Sequence, residues 1–182
     1  MEIILASNSP RRKQLLTEYD INFKVIPPIS EESKPKNVSV YKYAEVLAEE
    51  KATEVFNKHG GIVLGADTIV CFNGKIFGKP TSEQDAFYTL KLLSNKTHEV
   101  ITGFAIISKN FKYISHEITK VTFNNLSNEL ILNYIKTGSP LDKAGSYGVQ
   151  DDVNLVKKID GDLNNVIGLP VERIVKILRE IE

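Results

Sequence analysis

The chain has 182 residues, of which 42% are hydrophobic and 25% are charged, a composition typical of a globular protein with a substantial core. Its 23 basic and 23 acidic side chains balance, so no overall field would attract nucleic acid or an anionic membrane, and we expect neither as a partner. The single cysteine, Cys71, excludes a disulfide within the chain and suits a reducing compartment. The segment after Met1 lacks the charge and length of a signal peptide, which favours a cytoplasmic location.

The first predicted strand and helix flank the most informative segment. Ile3–Ala6 is mostly apolar and predicts a short buried strand, and Pro10–Tyr19 predicts a helix that is capped by Ser9. Arg11 and Arg12 then lie in the first helical turn, where the helix dipole disfavours each cation by roughly 0.3–1 kcal/mol unless an anion is near. These features favour a site for a multiply charged anion such as a polyphosphate. The alternative is a solvated helix start whose arginines pair with acids elsewhere.

The rest of the chain alternates strand and helix signals, without repeats or an obvious linker. Apolar runs predict further strands at Phe23–Ile26, Ile62–Phe72, Lys75–Phe77, His98–Ile107, Tyr113–Phe123 and near Leu155–Ile159. Capping residues and helical spacing predict helices at Val40–Lys58, from Thr81 or Ser82 to Leu93, at Ser127–Thr137 and at Pro170–Ile181, with loops at Ile29–Asn37 and Asp160–Gly168. Because this order is not a strict βαβ repeat, we expect an α/β fold with a mixed sheet and flanking helices.

Four charged residues need an explanation beyond local structure. Asp67 interrupts an apolar strand, where an unpaired buried carboxylate would cost several kcal/mol, so it is either paired with the following turn or acts as a metal ligand or general base. Lys51 lies on the buried side of the long helix, where a snorkelling side chain is the usual explanation. Lys79 follows a glycine and precedes a proline, and Glu31 lies in the polar loop.

Considered together with Arg11 and Arg12, these residues suggest a common chemistry. Cations bind a polyphosphate, while carboxylates such as Asp67 and Glu31 hold a divalent metal and activate water. Both tasks are needed to break a phosphoanhydride bond. The sequence therefore predicts one pocket for a triphosphate, provided that these distant segments fold together.

Five sequence motifs support this interpretation. They are LASNSPRR (Leu5–Arg12), GADT (Gly65–Thr68), GKP (Gly78–Pro80), DKAGSYGVQ (Asp142–Gln150) and NVIGLP (Asn165–Pro170). In these motifs, over nearly the whole chain, the sequence resembles the Maf-like nucleoside triphosphate pyrophosphatases, also called septum formation proteins. The resemblance implies hydrolysis between the α- and β-phosphates with a divalent cation, Mg²⁺ or Mn²⁺. It also implies a single domain over residues 1–182 with a fold like that of inosine triphosphate pyrophosphatases: an elongated mixed sheet and two lobes around a cleft.

The resemblance further assigns roles to individual residues. It makes Asp67 the proton acceptor for water, and it places three other charged residues in the cleft: Glu31, Lys51 and Lys79. Ser7, Arg11 and Arg12 match the phosphate-binding start of the family. Members that act on dTTP and UTP have Arg, Thr and Gln at three positions, which are matched here by Arg12, Thr68 and Gln150. The resemblance therefore implies a pyrimidine nucleotide substrate.

One segment departs from the family pattern. After Gln150 the family usually continues with glycines and an aromatic residue, whereas this chain has Asp151-Asp152 and is apparently one residue shorter. Two acids near a polyphosphate would repel it unless they bind metal or turn outward. The departure marks either a remodelled loop or a variant with altered activity.

A second class of function stays open at this stage. The older family name reflects an association with septum formation, so the chain could act as a nucleotide-binding regulator of cell division with little turnover. Its apolar content also leaves room for a homodimer, a form that the family often adopts.

Overall fold

The computed structural model describes residues 1–151 and 153–181 and has alternating strands and helices. The strands are β1 (Ile3–Leu5), β2 (Phe23–Val25), β3 (Val63–Phe72), β4 (Lys75–Phe77), β5 (Thr97–Ile107), β6 (Lys112–Phe123) and β7 (Val156–Asp160). The helices are α1 (Pro10–Glu18), α2 (Val40–His59), α3 (Glu83–Leu93), α4 (Asn128–Lys136), α5 (Leu163–Ile167) and α6 (Val171–Glu180). Two 3₁₀ turns, Ser139–Asp142 and Ala144–Ser146, follow α4.

The strands form a mixed sheet in the order β2-β1-β3-β5-β6-β7, with β4 also paired to β3. Strand β1 is parallel to both β2 and β3, whereas β4 is antiparallel to β3 and β7 is antiparallel to β6. Asn73 and Gly74 join β3 to β4 with φ of 51° and 74°, the left-handed pair that a tight hairpin needs. The predicted mixed α/β fold is confirmed.

By their contacts, the residues divide into two compact units. The first consists of Met1–Thr68, Thr102–Glu117 and the chain from Gly168 onward. The second consists of Ile69–Ile101 and Ile118–Ile167.

Helix α2 packs closely against strands of the first unit through small residues. Ala44, Ala48 and Ala52 are fully buried and recur every fourth residue, so they form one stripe along the helix. A Cβ added at Gly65 of β3 would lie 2.3 Å from the Ala48 carbonyl oxygen, and one added at Gly103 of β5 would lie 2.3 Å from the Ala44 carbonyl oxygen. The two glycines therefore set the distance between α2 and these strands.

The core of the second unit contains a buried histidine among aromatic rings. The ring of His98 packs edge-on against Phe123 and Tyr147, with centroid distances of 4.8 and 5.4 Å. Its Nε2 lies 2.8 Å from the Tyr147 hydroxyl, and its buried Nδ1 has no hydrogen-bond partner among the described residues. Burial lowers the pKa of His98 to about 4, so the imidazole is neutral in the folded protein at pH 7.

The sequence predictions match the structure in most elements. Ser9, Ser82 and Ser127 cap α1, α3 and α4 through their hydroxyls, as expected, and most predicted ends differ by one or two residues. The prediction of a loop at Asp160–Gly168 was wrong, because α5 forms within this segment. Asn165 of α5 is fully buried and its Nδ2 donates to the Val100 carbonyl and to Thr119 Oγ1, at 3.1 and 3.0 Å. These partners are distant in sequence, so no local pattern indicated the helix.

Membrane-spanning helices are absent from residues 1–151 and 153–181, since none of the helices there is long and apolar enough to cross a bilayer.

Substituting either buried glycine by alanine tests the close approach of α2. We expect Gly65→Ala and Gly103→Ala each to lower the free energy of unfolding by about 1–3 kcal/mol, because the added methyl would meet helix backbone rather than a movable side chain. Gly78→Ala is the matched control, since a Cβ at Gly78 meets nothing within 4 Å. Urea unfolding of the three variants measures the effect, and equal stabilities would contradict this packing.

The buried histidine predicts a specific dependence of stability on pH. Because the folded state holds His98 neutral, with its pKa lowered from 6.5 to about 4, protonation favours unfolding. The contribution of His98 to the free energy of unfolding is complete above pH 6.5. It declines as the pH falls towards 4, by about 3 kcal/mol in total. His98→Gln should flatten the unfolding free energy over this range relative to wild type, whereas the same change at the exposed His59 should not. Parallel pH profiles for all three proteins would contradict the assignment.

Candidate active site

The start of α1 holds a guanidinium at the centre of a polar network. Arg12 Nε donates to the Gly168 carbonyl at 2.9 Å, Nη1 donates to Ser7 Oγ at 3.2 Å, and Nη2 donates to Thr68 Oγ1 at 3.1 Å. Thr68 Oγ1 in turn lies 2.9 Å from Thr102 Oγ1. These residues come from four segments that are distant in sequence, and Arg12 joins them.

The network leaves Arg12 suited to bind an anion. A guanidinium has five N–H donors, and the contacts with described residues use one donor on each of its three nitrogens. Burial lowers the pKa of Arg12, although the Asp67 carboxylate opposes this effect and an arginine stays charged at neutral pH. No acidic residue lies in the first turn of α1, so the positive end of the helix dipole is not neutralised from within the helix.

A lysine of α2 joins the two carboxylates of the site. Lys51 Nζ lies 2.6 Å from Asp67 Oδ1 and 2.8 Å from Glu32 Oε1. The side chains of Lys51 and Asp67 are each only 13% exposed, whereas that of Glu32 is 59% exposed. The position of Asp67 on β3, two residues after Gly65, places it on the strand face against which α2 packs. The ion pair with Lys51 accounts for an aspartate in this buried strand.

Helix α2 also fixes the loop that contains Glu32. The Glu54 carboxylate accepts from the backbone N–H groups of Ile29 and Ser30, at 2.9 and 3.2 Å. Ser33 Oγ donates to Glu50 Oε1 at 2.7 Å. The hydrogen bonds from Ile29 and Ser30, together with one from Lys58 of the same helix, lower the pKa of Glu54 to about 2. The loop is therefore held on both sides of Glu32.

The structure brings together several of the predicted site residues within the first unit. Arg12 contacts Ser7 and Thr68, and Lys51 contacts Asp67, while Arg11 is half-buried beside Arg12 in α1. The carboxylate that reaches Lys51 is Glu32, and Glu31 is exposed.

Two predicted site residues belong to the second unit. Lys79 and Gln150 are both exposed there. The Gly145 N–H donates to the Gly78 carbonyl at 3.1 Å, which brings the GKP motif beside the DKAGSYGVQ motif. That Lys79 and Gln150 bind the same substrate as Arg12 stays a prediction.

The structure adds residues that the sequence did not single out. Glu32 is adjacent to the predicted Glu31, and sequence alone gave no means of choosing between two neighbouring acids. Gly168 has φ of 134°, which favours glycine, and its carbonyl accepts from Arg12. Its place in the NVIGLP motif was the available signal, although the motif does not reveal that the backbone oxygen of Gly168 is what contacts Arg12.

Known proteins resemble this chain over its whole length. The model of the Maf-like protein family matches residues 2–181. The chain is 47% identical to a dTTP/UTP pyrophosphatase of Thermococcus onnurineus, with 98% of this chain and 97% of the relative covered. It is 44% identical to a dTTP/UTP pyrophosphatase of Aquifex aeolicus, with 100% and 96% covered.

Among solved structures, the chain resembles a HAM1 protein from Coxiella burnetii in fold, with a TM-score of 0.51, 16% identity and 99% of each chain covered. The full-length matches to the family model and to the relatives show that this chain belongs to the Maf-like protein family.

Proposed function

We propose that this protein is a nucleoside triphosphate pyrophosphatase that hydrolyses dTTP and UTP to the monophosphate and pyrophosphate. The observation that supports this most directly is the buried pair of Lys51 and Asp67, which Glu32 joins at the same ammonium. The names of the relatives give the reaction and the substrates, and their similarity extends over the whole chain.

In this proposal the start of α1 binds the phosphates. Arg12 is held by protein contacts at each of its three nitrogens, so its two remaining N–H donors have a fixed direction. The hydroxyl of Ser7 and the guanidinium of Arg11 add a donor and a second charge. The bond between charged guanidinium and phosphate oxygen is the strong kind of hydrogen bond, which suits a substrate with up to four negative charges.

Asp67 acts as the general base. Its carboxylate takes a proton from a water molecule as the water oxygen attacks the α-phosphorus. The bond from the α-phosphorus to the bridging oxygen breaks, and pyrophosphate leaves with that oxygen, while the monophosphate keeps the oxygen from water. Lys51 orients the carboxylate of Asp67 through the 2.6 Å contact.

Membership of the family implies a divalent cation, and the carboxylates of the site fit one. Asp67 and Glu32 both lie within ion-pair distance of one ammonium, so both are directed at the same small region. No group of three potential metal ligands occurs among residues 1–151 and 153–181. The two carboxylates of Asp67 and Glu32 suit Mg²⁺ or Mn²⁺, since Mg²⁺ binds through one or two carboxylates with phosphate oxygens and water. Such an ion would neutralise charge on the triphosphate, with Glu32 in the role first predicted for Glu31.

The preference for a pyrimidine nucleobase is inferred from the resemblance to the family. We assign pyrimidine selection to Arg12, Thr68 and Gln150, and substrate binding also to Lys79. Gln150 is the residue suited to contact the base, because one amide both donates to and accepts from a pyrimidine edge.

A panel of nucleoside triphosphates tests the proposal. Pyrophosphate release should be faster, by about tenfold or more in kcat/KM, with UTP and dTTP than with ATP and GTP. In water enriched in ¹⁸O the label should enter the monophosphate, because water attacks the α-phosphorus. Preference for purines would contradict the substrate assignment, and release of inorganic phosphate in place of pyrophosphate would contradict the reaction.

A further inference from the structure

The turn that contains Gln150 is fastened at both ends to one phenol oxygen. Tyr134 OH, from α4, accepts from the backbone N–H of Gly148 at 3.0 Å and donates to Asp151 Oδ2. The Asp151 N–H closes the turn by donating to the Gly148 carbonyl at 3.2 Å. Gln150 therefore projects from a short segment whose two flanks are fixed, and its own side chain is exposed.

Asp151 has further partners that hold its carboxylate inward. Ser139 Oγ donates to Asp151 Oδ2 at 2.8 Å, and Lys143 Nζ lies 3.8 Å from the same oxygen. Lys143 is fixed in turn, because it donates to the carbonyl and to the hydroxyl oxygen of Ser139 at 2.6 and 2.8 Å. The side chains of Asp151 and Lys143 are only 22% and 12% exposed. Lys143 Nζ also lies 3.0 Å from Asp142 Oδ1, so the hydrogen bonds from Tyr134 and Ser139 are the closest contacts that hold the Asp151 carboxylate.

Gly148 shows how closely this network adjoins the turn. A Cβ added at Gly148 would lie 2.7 Å from Lys143 Cε and 2.9 Å from Asp151 Oδ2. The backbone of the turn therefore rests directly on the two charged side chains, and removal of either would leave space into which the turn could move.

We propose that Asp151 is a positioning residue for substrate selection, which holds Gln150 where its amide meets the pyrimidine edge. The inference rests on the proposed function for the role of Gln150. It also gives a reason for the departure from the family pattern at this position: where the family has glycine, the side chain of Asp151 anchors the turn to Tyr134 and Ser139. The neighbouring Asp152 lies outside the described residues.

The atoms involved allow a conservative variant. One oxygen, Oδ2, accepts from both Tyr134 and Ser139, so the single amide oxygen of asparagine can accept both hydrogen bonds. Asp151→Asn should therefore keep the turn in place, whereas Asp151→Ala should release it. Tyr134→Phe removes the shared phenol oxygen and should act like Asp151→Ala. Glu129→Ala is the matched control, because Glu129 is an exposed carboxylate on the same helix as Tyr134.

The first measurement is amide hydrogen exchange of residues 148–151 by mass spectrometry, which needs no substrate. Asp151→Ala and Tyr134→Phe should raise the exchange rate of this segment at least about tenfold, while Asp151→Asn and Glu129→Ala should not. Unchanged exchange in Asp151→Ala would overturn the proposal. If Asp151→Ala does not fold, Tyr134→Phe and Asp151→Asn decide the matter in the same way.

The second measurement is steady-state kinetics with UTP and GTP. Loss of the anchor should raise KM for UTP about tenfold and reduce the preference for UTP over GTP, with kcat for UTP within about twofold of wild type, since the reacting groups are untouched. Asp151→Asn should restore both values. Equal loss of kcat for both nucleotides, or an unchanged KM for UTP, would overturn the proposal. Absence of pyrophosphate release by the wild type would instead contradict the proposed function. The hydrogen-exchange rates would still test whether Asp151 anchors the turn.

Discussion

The arrangement of the site depends on one ammonium shared by two carboxylates. Lys51 holds Asp67 of β3 and Glu32 of a polar loop, and it reaches both because α2 lies almost in backbone contact with β3 at Gly65. A carboxylate as buried as Asp67 is costly without a partner, so the packing of small residues and the chemistry of the site are linked. Any change that moves α2 outward would both weaken the core and separate Asp67, the proposed base, from Lys51.

Packing and charge are also linked at Arg12, the residue that we propose binds the phosphates. Arg12 lies at a helix start, where a cation is unfavourable, and its guanidinium is fixed by Ser7, Thr68 and the Gly168 carbonyl. The charge is thus kept close to the positive end of α1 by contacts with distant segments. In the proposed function, stability and binding oppose each other at this point, because a bound polyphosphate would relieve the repulsion that weakens the helix start.

Local chemistry explains which parts of the structure could be predicted from the sequence. Serine caps, the Asn73-Gly74 turn and the apolar strands are encoded within a few residues, and they were predicted correctly. Helix α5 was not predicted, because it depends on hydrogen bonds from Asn165 to distant strands. The choice between Glu31 and Glu32 and the inward fold of Asp151 depend in the same way on tertiary contacts. Family motifs indicated Asp67 and Arg12 as site residues, but only the fold gives their partners.

A double-mutant cycle between Lys51 and Asp67 tests the central claim most directly. Asp67→Asn removes the proposed base and should lower kcat for UTP about 10²- to 10⁴-fold while UTP binding is retained. If Lys51 acts by holding that base, Lys51→Met should also lower kcat, and the double variant should be no slower than Asp67→Asn alone. Asp20→Asn, at an exposed acid that follows α1, serves as the control. Losses that multiply in the double variant, or an Asp67→Asn protein with full turnover, would contradict the account.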